Sequence, residues 1–288
     1  MREERNRKGR CRYLRRGGPR RRSTLDGPPC AQYGHKAWGE RLTTNERLPL
    51  PTDPAALAPT EVETLEALAP LLAAAGLAPL NESERAIIAA HLRLLDAWNP
   101  AINLTRITAP RDRAVRHLLD ALVAVPLIEP LLPAHGAKIA DLGSGGGFPG
   151  VPLAARLLTA HSDASLELIE ATQKKAHFLQ TVANASGFGA RLRVQAARAE
   201  ALGHAGGPRY NLVTARAVAP LADLVKLALP ILVPGGHLMA WKRSGDSWPV
   251  ELAAAAGEIG SAAIRVQPLD VPELTGALLV LIKRPERV

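Results

Sequence analysis

The sequence predicts an α/β fold in which a doubly wound, mostly parallel sheet follows a small helical region. Three observations predict it. From residue 137 short apolar runs alternate with helical segments, the order that builds βαβ units. The runs are apolar at successive positions rather than alternate ones, as strands covered on both faces require. The last two runs have no clear helix between them, so the sheet is expected to finish on an antiparallel strand.

The elements can be justified in order. Residues 1–55 are rich in Arg, Gly and Pro with few apolar anchors, a composition that predicts a disordered basic tail. Residues 56–135 read as helical. Thr60 and Glu63 have the spacing of a capping box before an Ala/Leu-rich stretch that stops at Gly76. A second helix starts near Asn81 or Ser83 and carries Ile87, Ile88, His91, Leu92, Leu95 and Trp98 at helical spacing. Asn99-Pro100 is expected to end it, and Trp98 to serve as a core anchor rather than a base-stacking platform. A third helix places Val115, Leu118, Leu119 and Leu122 on one face and is expected to stop at Pro126.

Residues 136–288 hold the sheet. The first strand, Lys138–Leu142, meets a glycine loop and a helix with Pro149 and Pro152 in its first turn, where proline is tolerated. Strands follow at 166–169, 191–195, 210–215 and 237–241, then at about 263–267 and 277–283. Between them lie a helix capped by Thr172 and stopped at Gly187, a helix at 220–232 closed by Pro234-Gly235-Gly236, and a helix capped by Ser247.

Composition excludes several classes. The chain has 288 residues, 47% hydrophobic, with 36 Lys/Arg against 27 Asp/Glu. Residues 1–22 contain 11 of the basic and 2 of the acidic residues, so the remaining residues balance at 25 against 25. The basic excess belongs to the tail and is weak evidence for a nucleic-acid partner. Cys11 and Cys30 both lie in that tail with no CxxC pair, which argues against a disulfide framework and a structural metal site. No apolar run is long enough to span a membrane, the candidate Ala121–Ile128 being short and broken by Pro126. With no apolar stretch after the basic N-terminus, a cytoplasmic location is expected.

The strongest chemical signal is Asp141-Leu-Gly143-Ser-Gly145-Gly-Gly147-Phe-Pro-Gly150. Glycines after a first strand let backbone approach a ligand, and the next helix presents unpaired N–H groups. Glu170, at the end of the second strand, can accept hydrogen bonds from two ribose hydroxyls. Together these point to an adenosine-containing cofactor. Gly145, Gly147 and Gly150 also fit the dinucleotide spacing GxGxxG, so the loop alone leaves a nicotinamide oxidoreductase open. Asp141 favours S-adenosylmethionine, because a carboxylate there repels a pyrophosphate and tolerates a sulfonium bearing an ammonium group.

The segments AWNPAINLT (97–105), RHLLDAL (116–122), IADLGSGGGFPGVPLA (139–154), ARAE (197–200) and TARAVAPL (214–221) resemble the bacterial 16S ribosomal RNA guanine-N7 methyltransferase family, RsmG, also called GidB. The resemblance covers about residues 57–284. It implies a class I S-adenosylmethionine-dependent methyltransferase fold with a helical N-terminal extension, and methyl transfer to N7 of a guanine in 16S rRNA. It places cofactor contacts on Gly143, Phe148, Ala199, Glu200 and Arg216. Read alone, Glu200 also suits a solvated loop carboxylate, whereas an arginine leaving a strand end in an otherwise apolar TARAVAP favours function. The chain departs from the family pattern at Asn211, Ala121 and Gly146, and the first 55 residues have no counterpart.

The chemistry asks little of side chains. Guanine N7 is an exposed acceptor with a free lone pair, so no general base is needed, and no catalytic acid–base residue is assigned. Positioning carries the rate. His117 and Asp120, three apart on a helix, suit either a packed face or the site. RNA contacts are expected from Arg106, Arg111, Arg113, Arg116, Lys242 and Arg243. The expected partner is 16S rRNA or the small ribosomal subunit, with the protein a monomer. A non-catalytic RNA-binding or assembly factor on the same fold is the remaining alternative.

Overall fold

Seven strands form one sheet: β1 (Lys138–Leu142), β2 (Ser165–Ile169), β3 (Leu192–Gln195), β4 (Tyr210–Arg216), β5 (Leu232–Arg243), β6 (Ala263–Pro268) and β7 (Ala277–Lys283). The computed structural model describes residues 49–204, 207, 209–260 and 263–286; the disorder expected of residues 1–48 lies outside the described residues. The strand order is β3-β2-β1-β4-β5-β7-β6. The first five are parallel, while β7 runs antiparallel to both β5 and β6. Every residue of β7 from Ala277 to Ile282 is buried, whereas β6 is largely exposed. The apolar member of the terminal hairpin therefore takes the inner position and the polar one becomes the edge.

Helices cover both faces. On one face α1 (Val62–Ala74), α2 (Glu82–Ile102), the 110–128 segment, α3 (Gly150–Ala160) and α4 (Gln173–Ala185) share a core with Ile139, Leu166, Leu168, Leu212 and Met239. On the other, α5 (Leu221–Ala228) packs with Ala140, Leu142, Val213 and Ala215. The N-terminal helices thus join the sheet's own core. Leu50 packs against that core, and Pro51 O accepts a hydrogen bond from Trp98 Nε1 at 2.7 Å. Residues 49–55 therefore belong with the fold although their composition predicts disorder. Trp98 is 2% exposed, a core anchor as its helical spacing predicts.

Local chemistry changes several predicted boundaries. The first residue of α1 is Val62 and no side chain caps it; Glu61 pairs instead with Arg93, and the Thr60–Glu63 box does not form. The box is found at α2, where Asn81 and Glu84 exchange bonds. That helix runs through Pro100 to Ile102, because a proline in the last turn removes only one intrahelical donor. Asn103 ends it in the left-handed conformation, φ 52°. Asn99 then ties down the next loop, its Oδ1 accepting from Leu104 N and Thr105 N and its Nδ2 donating to Thr105 O.

The third helix is not uniform. Pro110–Arg113 is α-helical, Ala114–Leu119 is π-helical, and Asp120–Leu122 returns to α geometry. Pro126 sits in the first turn of Val125–Ile128 and starts a helix rather than stopping one. Ser247 and Thr172 stand at the expected helix starts, but neither side chain makes a capping bond. Pro234-Gly235-Gly236 lies inside β5 as a kink, with Gly235 at φ +74°.

Arg113, expected to meet RNA, is buried at 6% exposure. Its guanidinium forks onto both carboxylate oxygens of Asp96, and its Nε donates to Ile107 O at 3.3 Å. It joins α2 to the third helix and is a structural residue. Replacing it by Met leaves Asp96 without its partner, and we expect a loss of about 3 kcal/mol in unfolding free energy, read by urea denaturation; a change below ~0.5 kcal/mol would contradict a structural role.

Candidate active site

The sheet reverses its winding between β1 and β4, and ligands of such sheets bind at the carboxyl ends of the strands flanking that point. The glycine loop lies there. Its shape is set from beneath by Asp141, which is fully buried at the end of β1. Asp141 Oδ1 accepts from Thr214 Oγ1 at 2.9 Å, and Oδ2 accepts from Gly150 N at 3.1 Å and from Ser144 Oγ. Burial pushes its carboxyl up to about 6 against those bonds. The side chain pins the loop and does not face the groove, so the repulsion of a pyrophosphate expected from it is not its observed task.

Above it, Gly143 N and Ser144 N donate to Ile169 O of β2 at 2.8 and 3.1 Å. Gly143 has φ +66°, and a Cβ on it would lie 2.7 Å from Val218 Cγ2. Glu170 is buried at the end of β2, its Oε2 accepting from Gly145 N at 3.0 Å and its Oε1 from Thr172 N at 2.7 Å. Each oxygen keeps a further lone pair for a hydroxyl. Ala199 and Glu200 form part of the 3₁₀ turn Ala199–Leu202 after β3. Ala199 packs against the core below, while Glu200 is exposed.

Phe148 links this loop to the helical region. Its ring stacks on His117 with centroids 4.2 Å apart, and lies 4.7 Å from His91 and 5.9 Å from the Arg216 guanidinium. His91 Nε2 donates to Gly146 O at 2.8 Å, while its Nδ1 is buried without a partner. A Cβ on Gly147 would come within 2.8 Å of that imidazole. Sequence periodicity places His91 only on an apolar helix face; no local signal ties it to a loop 55 residues away.

Arg216, at the end of β4, gathers the third helix. Its Nη1 donates to Asp120 Oδ2 at 2.9 Å and to Arg116 O at 2.7 Å, and its Nη2 donates to His117 Nδ1 at 3.2 Å. A guanidinium cannot accept, so His117 Nδ1 is bare and Nε2 carries the proton, donating to Thr105 Oγ1 at 2.9 Å. Burial, then the Arg216 charge, push His117 down to about 3. Burial pushes Asp120 up, while Arg216 opposes it. Of the two readings of His117 and Asp120, an exposed face is excluded: both are buried and both bond Arg216. The next residue, Ala217, has φ 55°, a conformation uncommon for a side chain with a Cβ.

Beyond Arg216 opens a cavity of about 820 Å³ walled in part by Val115, Trp241, Leu274 and Ala277. It lies within the roughly 300–1,000 Å³ of small-molecule sites. Arg111, Arg116 and Arg243 line it and are exposed. Lys242 also lines it but pairs with Glu251 at 3.1 Å. Arg106 is exposed and adjoins Ile107, which lines the cavity.

Residues 84–270 match the model of a family described as GidB, rRNA small subunit methyltransferase G. The chain belongs to this family. It is 41% identical over 250 residues to the "Ribosomal RNA small subunit methyltransferase G" of Sorangium cellulosum, covering 85% of this chain and 97% of that protein. The protein of the same name from Leptothrix cholodnii is 36% identical over 73% of this chain and 91% of its own length. That from Stenotrophomonas maltophilia K279a is 40% identical over 65% and 80%. Membership bears out the resemblance and the class I methyltransferase fold. The points of departure are structurally quiet: Asn211 Oδ1 accepts from Lys138 N at 2.8 Å, Ala121 is fully buried, and the Gly146 carbonyl holds His91. Among the described residues no group of His, Cys, Asp and Glu is placed to hold a metal ion, and no helix is long and apolar enough to cross a membrane.

The buried groups fix a pH response. His91, pushed by burial to about 4, and His117, at about 3, stay neutral in the fold but protonate near 6.5 when unfolded. Asp141 acts oppositely, since the folded chain takes up its proton near 6 and the unfolded chain only near 3.8. Between pH 6 and 5 the unfolded chain thus binds a net one proton more from these three groups, a contribution that lowers stability by about 1.4 kcal/mol per unit of acidification and that Asp120, also pushed up by burial, reduces. Urea unfolding at pH 6 and 5 measures it; stability that rises on acidification would refute this balance.

Proposed function

We propose that the protein transfers a methyl group from S-adenosyl-L-methionine to N7 of a guanine in 16S rRNA, acting on the RNA or on the small ribosomal subunit. The carrying observation is one junction: Arg216 stands at the carboxyl end of β4 between the glycine loop of β1 and the 820 Å³ cavity. A methyl donor on one side and an acceptor on the other meet there. Family membership supports the same reading, since the relatives named above carry rRNA small-subunit methyltransferase in their names.

The residues present suit the cofactor. Gly143 offers backbone with no side chain beyond Cα, and Glu170 offers free lone pairs at the strand end where ribose hydroxyls need acceptors. Ala199 and Glu200 flank the adenine side after β3, with Phe148 and Arg216 on the side toward the acceptor. When bound, the cofactor supplies an electrophilic methyl on a sulfonium. The chain's own part is to hold N7 in line with it, an orientation effect worth roughly 7–11 kcal/mol. His117, bare at Nδ1 yet engaged there by Arg216, is not free to take a proton, and N7 has none to give. The exposed Arg106, Arg111, Arg116 and Arg243 supply phosphate contacts.

Purified protein should bind S-adenosylmethionine by calorimetry. Gly143→Val should abolish that binding, because the new side chain meets Val218 and the ligand space together. Small-subunit rRNA should gain N7-methylguanosine by mass spectrometry; tight binding of a nicotinamide dinucleotide and none of S-adenosylmethionine would overturn the reading. Where chemistry limits turnover, the rate with saturating substrates should not rise with pH between about 6 and 8. A unit-slope ascending limb there would reveal a general base.

A further inference from the structure

Resting on the methyltransferase reading, we infer that the cavity beyond Arg216 is the receptor for the target guanine and that Glu273 selects it by accepting hydrogen bonds from its N1–H and N2–H groups. Enzymes that act on a base take it out of its stack into a pocket, and this cavity is the place beside Arg216 where a base can enter. Its charge is distributed as a guanine nucleotide requires. Val115, Trp241 and Leu274 give apolar wall for a base, and the exposed Arg111, Arg116 and Arg243 stand where a sugar–phosphate chain would pass.

Carboxylates from separate elements also line it, and they differ in availability. Asp120 is held by Arg216, and Asp246 accepts from Arg243 N at 2.8 Å. Asp112 is exposed at the start of the third helix. Glu273 stands on the 3₁₀ turn Pro272–Leu274 just before β7, half-buried, and its Oε2 is buried with no hydrogen-bond partner. A buried polar atom left unpaired costs about 1–3 kcal/mol, and turning the carboxylate toward a donor-bearing ligand in the cavity removes that cost. On its Watson–Crick edge guanine carries two adjacent donors matched to one carboxylate. Adenine presents a ring acceptor at N1 instead, which a carboxylate repels.

The same contact also favours the reaction. As N7 takes the methyl and its lone pair forms the new N–C bond, positive charge develops on the purine and N1–H becomes more acidic. The bond to Glu273 therefore strengthens toward the transition state, the condition for an interaction to raise kcat rather than only tighten binding. No proton need change hands.

The test uses the full chain and small subunits reconstituted with rRNA ligated to carry either guanosine or inosine at the nucleotide the wild-type protein methylates. Inosine keeps N7 and N1–H but lacks the N2 amine. Wild type should methylate guanosine at least tenfold faster than inosine in kcat/KM. Glu273→Gln should lose at least tenfold on guanosine, mainly in kcat, and treat the two nucleotides alike. Its S-adenosylmethionine affinity and unfolding midpoint should match wild type. Glu273→Asp should recover part of the discrimination. A Glu273→Gln protein that keeps the wild-type ratio, or a wild type that does not discriminate, overturns the assignment while leaving the methyltransferase reading intact. A wild type that forms no N7-methylguanosine on either nucleotide removes both.

Discussion

A carboxylate sealed from water at the end of the central strand governs the architecture of the site. Asp141 is completely buried and satisfied by three donors from three places: Thr214 on the neighbouring β4, Ser144 within the glycine loop, and the backbone N–H of Gly150 at the start of α3. A buried carboxylate deprived of such donors must neutralise or pull the structure apart. One charge therefore fixes the β1–β4 junction, the path of the loop and the entry angle of the helix together. Room for it exists because Gly150 has no Cβ; one would stand 2.4 Å from Leu168 Cδ2 and 2.6 Å from Asp141 Oδ2.

The same device recurs one strand over with the sign reversed. Arg216 ends β4 as Asp141 ends β1, and it too is satisfied across elements, here by Asp120, His117 and the Arg116 carbonyl of the third helix. Arg116 and His117 lie in the π-helical stretch Ala114–Leu119 and Asp120 follows it, and π-bulges of this kind are frequent at functional sites. The consequence is electrostatic. His117 and His91 are both held neutral by burial, so the walls around Phe148 neither take nor give protons near neutral pH. Such surroundings suit a nucleophile that needs only its lone pair.

Much of this fold was legible because strand cores announce themselves: the apolar run of β7 agreed with the sequence reading at both ends, since burial on both faces leaves no polar position from Ala277 to Ile282, and β1 agreed too, its ends marked by the exposed Lys138 and the glycine loop. The capping box at Asn81 is equally local. What failed depended on partners distant in sequence. The Thr60–Glu63 box fails because Glu61, not Thr60, takes the N-cap position of α1, where Arg93 engages its carboxylate from α2. Arg113 looked like its neighbours Arg111 and Arg116, yet Asp96 draws it inward from another helix. Pro100 and Pro126 misled because proline's cost depends on its place in a turn, and a π-helical segment has no composition. In the site, Gly143, Glu170 and Arg216 follow from strand ends, whereas His91 and Glu273 follow only from the packing of helix or turn against the sheet.

The helical region is therefore part of the site rather than an appendage to it. A glycine loop after a first strand is common to many nucleotide-binding sheets and by itself specifies no acceptor. Here α2 reaches it through His91, whose imidazole both holds the Gly146 carbonyl and occupies the space a Cβ on Gly147 would need. The third helix reaches it through His117 stacked on Phe148. The loop's backbone is thus clamped between Asp141 below and two uncharged rings beside it. The cavity shares its Val115 and Asp120 wall with the helix that supplies one of those rings. On the proposed reading, positions on the donor side and on the acceptor side are consequently set by the same few side chains. For a reaction that relies on alignment alone, that shared wall is the means by which the protein can act.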